Sequence, residues 1–313
     1  MNRIAFKLGD SYGKDKIGYL ASSRIRGHWL AKYWKEADDF FYPEYFNQTS
    51  EEFFNPENQL KLFKDYQVVI FNKTYEWKLA KLLKNNGKKV IVDFCDPDHL
   101  LSHSSKERVK NCLQTLEFAD AVVVNGEKLK ESISKIYNGN IYIIPDRVDF
   151  TFHKPQKQTH REKIRSIVWY GYSENLRILE PYIADIIDMG IEITIITDKP
   201  DDGFIISSQN DPRKFVTFKH WHPETVNQQI IEHDLVFIAK DQDEYFRQFK
   251  SYNRYLTATA LKMPFAEDIE HLKCLKSKKS REEQVKELYK IVKKYHNVKI
   301  SVKEYKKIIK ELL

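Results

Sequence analysis

The chain has 313 residues, long enough for two domains of ordinary size, and its 42% hydrophobic and 31% charged residues are the composition of a soluble globular protein. Its net charge of +7 is local: residues 273–313 hold 14 Lys and Arg against 5 Asp and Glu, whereas residues 1–272 hold 38 against 40. No apolar stretch is long enough to span a bilayer. Cys95, Cys112 and Cys274 form no CxxC pair, and "MNRIAFKLGD" reads as a strand rather than a leader, so a cytoplasmic protein without disulfides is expected.

In chain order, strands are expected at "RIAFKLG", "DFFYP", "YQVVIFN", "KKVIVDFCD", "DAVVVN" and "NIYIIP". Between them, "SSRIRGHWLAKYWKEA", "EWKLAKLLKNNG" and "HSSKERVKNCLQTLEFA" carry apolar residues at helical spacing. Strands separated by helices of this length imply right-handed crossovers and a parallel sheet. Residues 1–150 are therefore read as one doubly wound α/β domain. The polar, aperiodic run 151–165 reads as a linker. The alternation restarts with "SIVWYG", a helix from "ENLRILEPYIADIIDMG", strands "EITIITD" and "FVTFKHW", a helix from "PETVNQQIIEH" and strand "DLVFIAK". Residues 166–272 form the second such domain, and two of them imply a cleft. The basic tail, 273–313, has helical spacing with lysines opposite an apolar stripe. That pattern fits terminal helices packed on the body, with an anionic membrane surface or nucleic acid as the rival partner.

Ligands of such sheets bind beyond the carboxyl ends of the strands, so the loops there carry the candidates. The densest is "KSYNRYLTATALKMP", where Lys250, Ser251, Asn253 and Arg254 precede an apolar helix. Cations are normally found at the other helix end. An anion such as phosphate at the helix start explains their position; a Ser or Asn cap with solvated charges is the plainer alternative. Gly171, Tyr172 and Ser173 follow "SIVWY", where glycine lets a ligand approach the backbone or merely serves a turn. Trp221 offers a stacking surface. His220 and His222 are too few for a metal, and none is expected. In the first domain, Arg24 and Arg26 open a helix that Ser22 or Ser23 caps, and could hold an acidic acceptor or donor phosphates. Lys73 ends a strand, and "DFCDPDH" places Asp96 and His99 where acid–base work or sugar-hydroxyl binding is possible chemistry, with a Pro-linked turn as the alternative.

The order of these segments resembles a GT-B glycosyltransferase, in particular the large retaining nucleotide-sugar-dependent family (glycosyltransferase family 4, group 1 type). "FADAVVVNGEKLKESISK" with "NIYIIPDRVDF" resembles the passage closing that family's first domain, with Asp146–Asp149 in place of its Asn-Gly-Val-Asp. "SIVWYGYSENLRIL", "WHPETVNQQIIEHDLVFIAK" and "KSYNRYLTATALKMPFAE" resemble its donor domain. The likeness covers residues 1 to about 270. It implies transfer of a sugar from a nucleotide sugar to a glycan, lipid-linked or other acceptor, with retention. It implies no metal and no cofactor beyond the donor itself. It further implies a place in polysaccharide or glycoconjugate synthesis, at the inner membrane surface where the tail binds it. Two family glutamates are absent, with Phe249 and Thr257 at their positions. A catalytically degenerate binding protein, a nucleic-acid base glycosyltransferase and a sugar-nucleotide epimerase therefore stay open.

Overall fold

The computed structural model describes residues 3–9, 20–40, 55–154, 156–199, 214–241 and 243–313, with backbone alone at 244 and 246. Two compact units emerge. The first comprises residues 1–147, 248–251 and 298–313; the second comprises 148–247 and 252–297.

The first unit is built on a six-stranded parallel sheet of order β2-β1-β3-β4-β5-β6. Its strands are β1 (Ile4–Leu8), β2 (Ala37–Phe40), β3 (Val68–Asn72), β4 (Lys89–Phe94), β5 (Ala121–Val124) and β6 (Asn140–Ile143). β1, β3 and β5 are buried at every position. Near-continuous apolar strands are what a parallel sheet covered on both faces requires. On one face Val69, Phe71, Val92, Phe94 and Val122 pack with Leu79, Leu83, Leu116 and Ile133 from the helices. The second expected strand, "DFFYP", starts earlier, at Ala37, and its residues beyond Phe40 lie outside the described ones.

The first crossover helix does not begin at a serine cap. Leu20 precedes an α turn, Ala21–Ser23, which passes into a π segment, Arg24–His28, and then an α turn, Trp29–Lys32. Gly27 lies in the π segment against β1: a Cβ there would come within 2.2 Å of Leu8 Cδ2. Only glycine lets helix and strand approach so closely.

The second unit has a five-stranded parallel sheet, β11-β10-β7-β8-β9. Its strands are β7 (Ser166–Tyr170), β8 (Glu192–Thr197), β9 (Val216–His220), β10 (Leu235–Phe237) and β11 (Phe265–Ala266). Ile167, Trp169, Ile193 and Ile195 pack one face against Leu179, Ile183 and Ile186 of the helix Leu176–Asp188. Val168, Ile196, Val236 and Ile238 pack the other, with Ala258 and Leu261. Because β7 has β10 on one side and β8 on the other, the loops after β7 and β10 diverge from one strand end.

The basic tail is divided. The helix Lys278–Tyr295 packs with the second unit through Val292, Leu256 and Ala260, while Ile291 of its apolar set is exposed. The helix Val298–Leu312 belongs to the first unit and buries Val302, Tyr305, Ile308 and Ile309. Among the described residues, no helix is long and apolar enough to cross a membrane.

Candidate functional site

In the second unit, the helix Asn253–Ala260 starts without a side-chain cap, with Tyr252 at the capping position. Its first-turn N–H groups and the positive end of its dipole are thus not neutralised by a side chain. Arg254 stands in that turn. Its main-chain carbonyl accepts from the Tyr170 hydroxyl at 2.9 Å, which ties the helix start to the end of β7. Its Nη1 is buried and has no hydrogen-bond partner. Burial lowers the basicity of this guanidinium, and Tyr170, Tyr255 and Asp241 counter the effect. An arginine stays charged in proteins regardless, so a buried positive nitrogen is left without an anion. Asn253 Oδ1 accepts from Thr257 Oγ1 at 3.4 Å, one turn along the same helix.

Asp241 follows β10 and is 8% exposed. One carboxylate oxygen accepts the Asp243 N–H at 3.0 Å, and the other, buried, accepts no hydrogen bond. The loop after β7 is held differently. A Cβ on Gly171 would come within 2.9 Å of the Trp169 ring, so packing alone demands glycine here. The Ser173 N–H donates to Asp198 Oδ1 at 2.7 Å, leaving it engaged by a carboxylate, and Tyr172 is 40% exposed. Trp221 is half-buried against Val226 and Ile230, its main-chain N–H donating to Thr197 O.

The Lys-Ser-x-Asn-Arg run is split by the division of the chain. Phe249 is buried in the core of the first unit, and Lys250 and Ser251 go with it, whereas Asn253 and Arg254 belong to the second. The Phe249 carbonyl accepts from Asn125 Nδ2, which also donates to Cys95 O at 2.8 Å. A glutamate at position 249 would therefore enter an apolar core.

At the carboxyl ends of β1, β3 and β4 the first unit has a cavity of about 430 Å³, lined by Ser23, Lys73, Asp98, His103 and Arg108 among others. Lys73 adopts a left-handed backbone (φ 51°) directly after β3, and its ammonium lies 2.6 Å from Asp96 Oδ2. Burial opposes its charge, yet Cys95, Asp96 and Asp98 together raise its pKa. Asp98 accepts from Tyr75 Oη and Arg108 Nη2, both at 2.8 Å, and from Ser104 Oγ at 3.2 Å. The Arg108 and Tyr75 hydrogen bonds, with the charges of Lys73 and Arg108, outweigh its burial and lower its pKa. His103 Nε2 stands 3.8 Å from Asp98, and burial lowers the pKa of its imidazole. Ser23 Oγ, Thr74 Oγ1 and both amide atoms of Asn72 are buried without partners.

The other candidates of this unit have the following surroundings. Arg26 does not wait for an acidic ligand: it is 3% exposed, lies 2.8 Å from both Asp93 and Asp146, and donates to Ile144 O. Arg24 is buried too, its guanidinium 5.8 Å from the Trp29 ring. Asp96 and His99 do not line the cavity. Asp96 is taken by Lys73, and His99 is buried beside Phe94, with Nε2 2.7 Å from Ser132 Oγ. Asp98, His103, Arg108 and Asp241 were not singled out as site residues. Only Asp98, within "DPDH", carried a sequence signal.

Two parallel doubly wound sheets, each with helices on its faces, define the GT-B fold. The particular likenesses lie within it. HepE from Anabaena, solved with UDP and glucose, shares 10% identity over 99% of this chain and 100% of its own, with a TM-score of 0.71. Sucrose-phosphate synthase from Thermosynechococcus elongatus shares 12% over 100% and 99%, also at 0.71. UDP-N-acetylglucosamine 2-epimerase from Rickettsia bellii shares 10% over 96% and 90%, at 0.50. No family model matches the sequence, and no curated protein matches it significantly. At these identities the likeness establishes the fold, and activity rests on the residues.

Proposed function

We propose that the protein is a glycosyltransferase that takes a sugar from a nucleoside diphosphate sugar. The donor's pyrophosphate lies at the start of the helix Asn253–Ala260, against Arg254. A hydroxyl-bearing glycan, lipid-linked or other acceptor supplies the attacking oxygen, and the first unit by itself offers polar groups for binding hydroxyls in the cavity at Lys73, Asp98 and His103. The bond from the anomeric carbon to the phosphate oxygen breaks, and negative charge appears on the leaving diphosphate. The acceptor oxygen bonds to the anomeric carbon, and its proton passes to the leaving diphosphate or to solvent. A buried guanidinium at a helix start stabilises the leaving charge without reorganising, and does so independently of a metal. Retention of configuration, and a role in polysaccharide synthesis, follow the family resemblance.

The observation that carries this reading is the buried Arg254 Nη1 without a partner, at the strand-end corner where β7 meets β10. Other buried arginines also leave a nitrogen unpartnered, but Arg26 is ion-paired to Asp93 and Asp146, whereas the Arg254 side chain has no ion pair among the described residues. HepE, which shares the fold, was solved with UDP and glucose, and this supports the assignment.

The test is calorimetric titration and thermal shift with UDP, GDP, CDP, ADP and their sugars, followed by turnover of the donor that binds. A ligand at 100 times its Kd stabilises the native state by about 2.7 kcal/mol. Arg254→Gln should abolish that shift while leaving the unliganded Tm equal or higher, since it removes a buried unpaired charge. Binding that survives the substitution, or a panel that produces no shift at all, would refute the proposal. Binding without sugar transfer or donor turnover would mark a degenerate binding protein instead.

A further inference from the structure

We propose that Asp241 is the residue that recognises the transferred sugar: its free carboxylate oxygen accepts a hydrogen bond from a glycosyl hydroxyl, beside the phosphate held at Arg254. The inference rests on the donor reading above and adds to it a subsite for a polyhydroxylated group.

Its basis is a pair of opposite defects in one corner. Asp241 Oδ2 is buried and has no donor; the Arg177 Nη2 nearby is 3.8 Å away, beyond hydrogen-bond length, on a side chain that is 64% exposed. The rest of the residue is fixed. Oδ1 accepts the Asp243 N–H, and the main-chain carbonyl accepts from Arg247 Nη1 at 3.3 Å. Arg254 Nη1, buried as well, lacks an acceptor. The Asp241 charge is close enough to act on the Arg254 guanidinium, yet no hydrogen bond or ion pair joins them. Each unsatisfied charged group costs more than a neutral one would.

A ligand that satisfies both must offer acceptors to the guanidinium and a donor to the carboxylate. The ionised terminal phosphate of a nucleoside diphosphate offers only acceptors and faces Asp241 with repulsion, its ribose and base donors lying on the far side of the phosphates. A glycosyl phosphate offers both, through its phosphoryl oxygens and its ring hydroxyls. The corner therefore distinguishes the loaded donor from the spent nucleotide. Once the sugar has left, the carboxylate again faces the diphosphate without a donor, which favours product release.

The test compares affinities by calorimetry for a nucleoside diphosphate and its sugar conjugate, taking UDP with UDP-glucose and GDP with GDP-mannose as probe pairs. The wild-type protein should prefer one conjugate by about 10- to 100-fold, the range that a hydrogen bond to a charged acceptor supplies. Asp241→Asn should bring that ratio close to one while leaving the diphosphate's affinity equal or higher, with Tm equal or higher. Asp241→Glu should restore part of the preference. An unchanged ratio in Asp241→Asn, or equal weakening of both ligands, would overturn the assignment while the donor reading stands. Wild-type protein that binds none of the probes would remove both together.

Discussion

His99 is the residue whose surroundings make the sharpest pH statement. It is buried beside the Phe94 ring, Nε2 meets Ser132 Oγ at 2.7 Å, and Nδ1 has no partner. Burial pushes its pKa down to about 4, against the weaker pull of Asp98 in the other direction. Its native pKa is depressed, so the unfolded chain, with a histidine near pH 6.5, binds the proton first. Stability is then fully present above about pH 6.5, falls as pH drops toward 4, and falls no further below that on this residue's account. The loss is on the order of 3 kcal/mol by linkage. His103, His160 and His233 are lowered by burial as well and act in the same window, so His99→Gln should make the dependence of Tm on pH between 7 and 4.5 shallower without abolishing it, and a profile as steep as that of the wild type would contradict the assignment. The carboxylates Asp96 and Asp98, whose pKa values are lowered, lose their contribution at more acidic pH and do not blur this window. The same scale shows where sequence reading reaches its limit. In the sequence, Arg26 and Arg254 both fall near expected helix starts after strands, and a string of letters gives them equal claims on an anion. Asp93 and Asp146 decide against Arg26; they lie 67 and 120 residues away.

At the scale of elements, the end of β4 and the last helix of the chain are joined by a buried network. Asp93 Oδ1 lies 2.8 Å from Arg26, and Asp93 Oδ2 accepts from Tyr305 Oη at 2.6 Å. Burial raises the pKa of Asp93, and the Arg26 and Tyr305 hydrogen bonds hold it back. Tyr305→Phe keeps the ring against Phe6, at a centroid distance of 5.8 Å, and removes only the donor. A buried carboxylate oxygen is then unsatisfied, so denaturant unfolding should show a loss of about 1–3 kcal/mol at unchanged m-value. A loss below a few tenths would mean that water replaces the hydroxyl. Strands and crossover helices were legible because their apolar runs and periodicities are local. The π segment Arg24–His28, the short β11 and the start of β2 at Ala37 were not, because each is set by packing. Gly27 must clear Leu8, and β11 exists only through its pairing with β10. Arg281 is a further case. It reads as one cation among fourteen in the tail, yet it is fully buried, donating to the carbonyls of Leu275, Lys276 and Arg161.

For the whole molecule, the chain passes from one unit to the other after Arg147, Arg247, Ser251 and Asn297. The two units are therefore not consecutive pieces of sequence, and the tail contributes to both. Charge counting marks residues 273–313 as a single basic appendage, whereas packing assigns its last helix a structural role in the first unit. Val302, Tyr305, Ile308 and Ile309 are each at most 5% exposed. At about 1.5–3 kcal/mol per fully buried large side chain, their loss approaches the 5–15 kcal/mol by which a domain is stable at all. A chain ending at Asn297 should consequently lose the first unit's cooperative transition and its resistance to proteolysis, while a cavity-directed ligand no longer binds. The lysines of the same helix can be tested separately. Lys303, Lys307 and Lys310 are exposed, and changing all three to Gln should move stability by no more than about 0.5 kcal/mol each. If the truncated chain unfolds the first unit and the glutamine variant does not, the apolar stripe holds the tail in place and the charge is free for a partner. Equal damage from both would make the lysines part of the fold; a truncated chain that retains a protected first unit would show that the six-stranded sheet is stable without its last helix.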